Sequence, residues 1–395
     1  SISLSIMNFE WLDKKFNIID APGYLDFFGE VKSSLSVADL AAIVVSASEG
    51  IDVGTQLSSD CAEKEFKIPK FFIISMADKD QSNFDEVLSS LKKTYGRTVF
   101  PFIIPINEGP NFNQLADVLR KETLTFETNG SGNYSESSAD SEWSDKLENY
   151  HNELIELIAE SDENLLEIFF DKGELTQEEL RSGLHQAMKS NGLIPVFCIS
   201  AEKNIGVKRM MDILAKYAPC AGDFDKVEGT KPGSDEVKIQ GSTINDPISA
   251  RVFKTISEEH IGEMSFFRVY SGKVNAGDDL NNTSRNSSEK MRQIYFMSGN
   301  KRQDASQLIA GDIGAALKLK NTHTGDTLCD AKDSILLSSI GYPTSNMSFA
   351  IKPKSRGDEE KIANGLSVMH EEDPTFNYRV DPELKQTIIS GQGEL

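Results

Sequence analysis

The sequence predicts a multidomain α/β fold: a doubly wound parallel sheet with a helical insertion, then an antiparallel β-barrel, then part of a split β-α-β unit. Three patterns carry this expectation. Residues 1–220 alternate short apolar runs with amphipathic stretches, the rhythm of strands and covering helices. Residues 248–335 switch to short strands broken by Gly, Asn and Asp turns. Residues 341–395 read strand, helix, strand, strand.

Taken in order, Ile2–Trp11 alternates apolar and polar residues, turns at Leu12-Asp13-Lys14-Lys15 and returns as Phe16–Ile19, a predicted hairpin. The alternation starts at the first position, so the chain is expected to begin inside a domain. Phe16–Ile19, Ala41–Val45, Phe71–Ile74 and Leu193–Cys198 are near-continuous apolar runs, as expected of strands buried on both faces. Asn83–Tyr95 and Val207–Tyr217 are amphipathic helices between them. Asn129–Asp140, rich in Gly, Ser and Asn, predicts a loose surface loop. Trp143–Phe170 carries apolar residues at helical spacing, and Thr176-Gln177-Glu178-Glu179 reads as a capping box, so residues 127–190 predict a helical insertion. Ala221–Pro247 has little periodicity and predicts a linker. Ser249–Ile256, Phe266–Tyr270, Gly272–Asn275 and Gly314–Leu319 are barrel strands within residues 248–340. Asn346–Lys352, Asp358–Glu371, Phe376–Asp381 and Gln386–Ser390 then make most of a ferredoxin-like domain.

Composition narrows the function. The apolar share is 38%, enough for a core in every segment. No run of about 18 apolar residues occurs and Ser1 opens no signal peptide, so a cytoplasmic location without a membrane span is expected. Cys61, Cys198, Cys220 and Cys329 are scattered, which predicts reduced thiols and no metal site. A net charge of −21 excludes indiscriminate binding to nucleic-acid phosphate. Fifteen Asp or Glu against two Lys fall between Glu136 and Glu179. Such a run is a solvated helix face or a partner site for a basic surface.

The most informative stretch is Phe16–Gly23. An apolar strand delivers Asp20 at its carboxyl end, followed by Ala21-Pro22-Gly23. A carboxylate there can hold hydrated Mg²⁺, and a Gly lets a phosphate approach the backbone, although a plain strand exit explains the motif equally well. After Gly23 the chain reads Tyr24-Leu25-Asp26-Phe27, then Glu30-Val31…Ser34-Leu35, then Ala38–Ala47 and Glu49-Gly50-Ile51. This series resembles the G domain of translational GTPases, specifically elongation factor G. Ser200-Ala201 matches that family's guanine-packing loop. Phe266–Gly272, Ala310–Ile313 and Thr324–Cys329 match its second domain, and Glu371–Phe376 with Thr387–Leu395 match its third. The resemblance implies a P-loop-type G domain with GTP or GDP and Mg²⁺ as the family's ligands. It also implies the ribosome as partner, through ribosomal RNA and stalk proteins, and a monomeric chain.

Three departures bear on mechanism. No GxxxxGK[ST] occurs in these residues, so the G domain lacks its phosphate loop here, the family's loop falling upstream of Ser1. No nucleotide is therefore expected on this chain. The family's Asn-Lys-x-Asp aligns with Ser75-Met76-Ala77-Asp78: Asp78 remains for the guanine N–H groups, while Ser75 and Met76 replace the bracing Asn and the Lys along the base. A register shifted to Lys79 fails, because residue 81 is Gln. The family's water-positioning His is Tyr24, a phenol that mainly donates where imidazole can exchange a proton, unless Tyr24 is simply a surface aromatic at a turn.

The expected nucleotide contacts are thus Asp20, Pro22, Gly23, Ser75, Asp78, Ser200 and Ala201, with Asp20 the Mg²⁺ residue through water and Tyr24 in the catalytic position. Arg285, Lys290, Arg292, Lys301, Arg302, Lys352, Lys354 and Arg356 are the basic positions to test for contact with ribosomal RNA, with a solvated basic surface the more economical reading of any one of them. The reading favoured is a ribosome-acting factor with a degenerate guanine site. The alternatives are an active GTPase and a ribosomal protection protein of the tetracycline-resistance kind, the latter disfavoured by the long insertion.

Overall fold

The structure is a computed structural model and describes residues 2–258, 262–355, 357–383 and 386–394. The chain forms two compact units. One contains Ser1–Phe9, Lys15–Ala38 and Cys220–Leu395, the other Glu10–Lys14 and Asp39–Pro219.

The chain opens with β1 (Ser5–Trp11) and β2 (Lys14–Asp20), which form a two-stranded sheet of their own, followed by helix α1 (Phe28–Leu35). This corrects the expectation for Phe16–Asp20. A two-stranded ribbon leaves one face open, so β2 is only half-buried and Asp20 is exposed. An apolar run signals burial but does not name the strand's partner. Leu4, Ile6 and Ile19 supply the buried face, and Phe9 stacks on Phe16 with ring centroids 5.5 Å apart.

The second unit is built from β3 (Ala41–Ser46), α2 (Val53–Asp60), β4 (Lys70–Ser75), α3 (Phe84–Tyr95) and β5 (Val99–Pro105). After these come β6 (Gln114–Asp117), β7 (Glu122–Phe126), β8 (Tyr134–Ser138), α4 (Ser141–Glu160), α5 (Glu163–Lys172) and α6 (Gln177–Lys189). Strand β9 (Ile194–Cys198) and α7 (Val207–Tyr217) complete it. The sheet runs β3-β4-β9-β5-β6-β7-β8. The first four strands are parallel, as expected; the last three add antiparallel, so the sheet is mixed. Every residue of β4, β5 and β9 is buried, which is why their sequences read as unbroken apolar runs.

One expectation for the insertion changes and another gains detail. Asn129–Asp140 is not simply a loop, because β8 pairs with β7 there; its Ser and Glu side chains face water on an edge strand and leave no apolar signature. Trp143–Phe170, expected only to be helical, divides into two helices, because Asp162 accepts from the Asn164 and Leu165 N–H groups and starts α5. The capping box at Thr176 forms as predicted, with Glu179 reaching back. Part of the acidic run is spent internally: Glu136, Glu148, Glu153 and Glu160 pair with Arg120, Lys121, Lys92 and Arg97.

Returning to the first unit, Ala221–Pro247 contains a hairpin where a linker was expected. Strands β10 (Lys226–Thr230) and β11 (Val237–Gly241) pair antiparallel, with their Lys, Glu and Gly residues concealing the pattern. Then come β12 (Ser249–Glu258), β13 (Gly262–Ser271), β14 (Lys273–Asn275), β15 (Asp279–Asn282), β16 (Ser287–Lys290) and β17 (Ile294–Ser298). Strands β18 (Lys301–Ala305), β19 (Gln307–Ile309), β20 (Ile313–Leu317) and β21 (Thr327–Cys329) follow. The expected barrel is an eight-stranded antiparallel sheet, β16-β15-β21-β12-β13-β20-β17-β18, with β14 paired to β19. Finally β22 (Met347–Ile351), α8 (Glu359–Glu372), β23 (Asn377–Asp381) and β24 (Gln386–Gly391) form the predicted β-α-β-β series, in sheet order β22-β24-β23.

Arg209 of α7 donates from Nε to Asp117 of β6 at 2.5 Å, with side chains 3% and 0% exposed. Removing one partner strands a buried charge, which costs about 3–5 kcal/mol. Arg209→Ala is expected to destabilise the second unit by that amount. Both tryptophans, Trp11 and Trp143, belong to this unit, so denaturant unfolding followed by fluorescence reads it directly. A loss below about 1 kcal/mol would show the pair to be dispensable.

Candidate guanine-base site

In the second unit β4 and β9 run parallel, so the loops leaving them emerge at one end of the sheet. The Ile199 N–H donates to the Ile74 carbonyl at 3.0 Å, and the Ala77 N–H donates to the Ile199 carbonyl at 3.5 Å. Ser75, Asp78, Ser200 and Ala201 are thereby brought together. Asp78 is 6% exposed and Ser200 fully buried, while Met76 is 42% exposed at φ +65°, in the left-handed region where few non-glycine residues sit. The Gly109 N–H donates to the Ala77 carbonyl at 2.8 Å and holds the loop from outside.

The Ser200 loop is closed on itself. Ser200 and Ile205 exchange backbone hydrogen bonds at 3.0 and 2.9 Å, and Ser200 Oγ accepts from the Lys203 N–H at 3.1 Å. Gly206 ends the loop at φ +82°; a Cβ there would lie 2.8 Å from the Cys198 carbonyl.

Sequence reasoning sets Lys79 aside, yet its Nζ lies 3.8 Å from Asp78 and 2.5 Å from Glu202. Hydrogen bonding to Glu202 raises the Lys79 ammonium above its ordinary value. A cation therefore does stand beside Asp78, but it comes from the residue after the motif and is tethered to the opposite loop. The only sequence signal is a Lys next to Asp78 and an acid next to Ala201; their pairing needs the parallel strands.

Asp20, Pro22, Gly23 and Tyr24 belong to the first unit. Pro22 is buried, Gly23 exposed and Tyr24 67% exposed, with no side-chain hydrogen bond capping the turn it begins. One exposed carboxylate fits a Mg²⁺ held through water and nucleotide oxygens, not a protein cage. Helix α1 behind this segment is tightly held. Glu30 accepts from Lys254 Nζ at 3.1 Å and from the Leu4 N–H at 2.7 Å. The Ser36 carbonyl accepts from Arg251 Nη1 at 3.2 Å and Tyr270 OH at 2.6 Å, and Val37 O from Arg268 Nη1 at 2.7 Å. Cations at a helix C-terminus complement its dipole. Sequence reasoning misses all of these partners, because isolated Arg and Lys residues in a strand carry no local signal.

Among the basic positions, Arg285 binds Asp326 through Nε at 3.2 Å, while Arg302 and Lys290 lie 3.9 and 3.7 Å from Glu258 and Asp279. Arg292, Lys301, Lys352 and Lys354 are exposed, and Arg356 lies outside the described residues.

The family description Elongation factor Tu GTP binding domain matches residues 1–220. The chain belongs to the translational GTPases. It is elongation factor G-like: Elongation factor G domain 2 matches residues 247–331, and Elongation Factor G, domain III, matches residues 342–395. A crystal structure from Thermus thermophilus, of a protein designated ttk003000868, superposes with a TM-score of 0.86 at 25% identity. The match covers 100% of this chain and 56% of that one, so this chain spans little more than half of that relative. Guanine nucleotide and Mg²⁺ are thus the ligands of this family. No helix among the described residues is long and apolar enough to cross a membrane.

Tyr342 fastens α1 from the other side, its OH 2.8 Å from Ser33 Oγ, and burial pushes its phenol up to about 12. The fold favours the neutral phenol, so stability is retained below the unfolded value near ~10 and is lost between there and about 12. Tyr342→Phe is expected to flatten that alkaline fall by up to about 1.4 kcal/mol per pH unit. An unchanged slope in denaturation curves between pH 9 and 12 would show that Tyr342 titrates freely.

Proposed function

We propose that this translational GTPase acts on the ribosome as an elongation factor G-like translocation factor whose guanine site is degenerate, with hydrolysis reduced or lost. One observation carries the reading: the loop facing Ser200-Ala201 holds Ser75-Met76-Ala77-Asp78, with the base-recognising carboxylate present and both flanking groups replaced. Asp78 can still accept from a guanine edge. Met76 offers apolar contact without charge, and Ser75 is too short to brace a neighbouring loop as an amide would. Tyr24, at the family's water-orienting position, donates where an imidazole would exchange a proton near neutral pH. Asp20 would reach Mg²⁺ through water. Ribosome contact would use the exposed Arg292, Lys301 and Lys354, with Arg285 and Arg302 partly committed to Asp326 and Glu258.

The test is ribosome-stimulated phosphate release by the longest natural form of the protein. The expected rate is at least about a hundredfold below that of an elongation factor with an intact motif, the scale of losing one positioned catalytic group. Ser75→Asn with Met76→Lys is expected to recover nucleotide affinity while Tyr24 still limits turnover. Full-rate release by the unaltered protein would overturn the proposal in favour of an active GTPase.

A further inference from the structure

The contact between the eight-stranded sheet and α8 contains a charge arrangement that the nucleotide site does not use. His323 Nδ1 lies 2.5 Å from Glu371 Oε2, in the last turn of α8. The other oxygen of Glu371 is buried, with no hydrogen-bond partner among the described residues. Beside it, Glu372 accepts from the Ser257 N–H of β12 at 2.7 Å. Two carboxylates at a helix C-terminus oppose the helix dipole and need positive charge nearby.

The loop presenting His323 is built rigidly. Buried Glu289 of β16 accepts from the Lys320 and Asn321 N–H groups at 2.8 and 2.6 Å and from Thr322 Oγ1 at 3.0 Å. Asp326 accepts from the His323 N–H and from Asn282 Nδ2, both at 2.9 Å, with Arg285 behind it. The charged groups around His323 are therefore Glu371 and Glu372 from α8, Asp326 and Lys320 from its own loop, Arg285 from the β15–β16 turn and Glu289 from β16. His370, also on α8, is turned toward the Phe376 carbonyl at 2.5 Å.

We propose that His323 and Glu371 form a proton-operated latch that fixes α8, and with it the β22–β24 sheet, onto the eight-stranded sheet. With neutral imidazole the contact is a hydrogen bond to a carboxylate that keeps its full negative charge. With imidazolium it becomes an ion pair that also offsets the charge on the second Glu371 oxygen, so the latch tightens when the imidazole is protonated. This proposal stands apart from the nucleotide-site reading.

Hydrogen exchange on the whole chain tests it, with protection of the α8 amides corrected for intrinsic rates and compared with β13. Between pH 8 and pH 5.5, α8 protection is expected to rise about two- to fivefold, the scale of a partly exposed ion pair. His323→Gln and Glu371→Gln should each abolish the rise and leave β13 unchanged, whereas His370→Gln should keep it. A flat wild-type profile, a rise that survives His323→Gln, or one lost in His370→Gln would overturn the latch.

Discussion

The parallel pairing of β4 with β9 is the constraint on which the nucleotide-site reading depends. Phe72–Ile74 lie beside Val196–Cys198, and both strands are buried throughout. Parallel strands share a carboxyl end, so two segments more than a hundred residues apart in sequence deliver their loops to one place. The Ala77 N–H then bridges to Ile199, and Lys79 to Glu202. Buried main-chain hydrogen bonds fix the backbone of these loops whatever their side chains are. The frame of these loops can thus persist whatever side chains stand at positions 75 and 76.

The first unit solves a different problem. Helix α1 carries a glutamate and ends in bare carbonyls inside a largely apolar contact, and each is met by a cation from the sheet: Lys254 for Glu30, Arg251 and Arg268 for Ser36 and Val37. Buried charges of this kind specify one placement, because any slip leaves a guanidinium or a carboxylate unpaired. Close packing of glycines reinforces the same placement, since a Cβ on Gly29 would come within 2.5 Å of Thr375. The segment Asp20–Tyr24 is therefore attached to a helix with little freedom to move independently.

Much of this was legible in the sequence, for physical reasons that differ by element. Strands buried on both faces, such as Phe71–Ile74, announce themselves by composition, and the Thr176 capping box by the local chemistry of one helical turn. The place of Ser75–Asp78 in a loop was legible because it directly follows a strand. Strand β8 was not, because an exposed edge strand needs no apolar face, and β10 and β11 were hidden by Lys and Gly for the same reason. The separation of β1 and β2 from the seven-stranded sheet was illegible because hydropathy reports burial and not pairing. Partners such as Lys79 with Glu202 or His323 with Glu371 exist only once distant segments meet.

On the proposed function, the loops of β4 and β9 form a base site with little grip on guanine. Backbone amide chemical shifts of Met76–Lys79 and Ser200–Lys203, followed during titration with GDP, test it most directly. The account predicts no saturable shift at micromolar nucleotide and only weak, fast-exchange movement near millimolar. Saturation at micromolar GDP, centred on those residues, would contradict it.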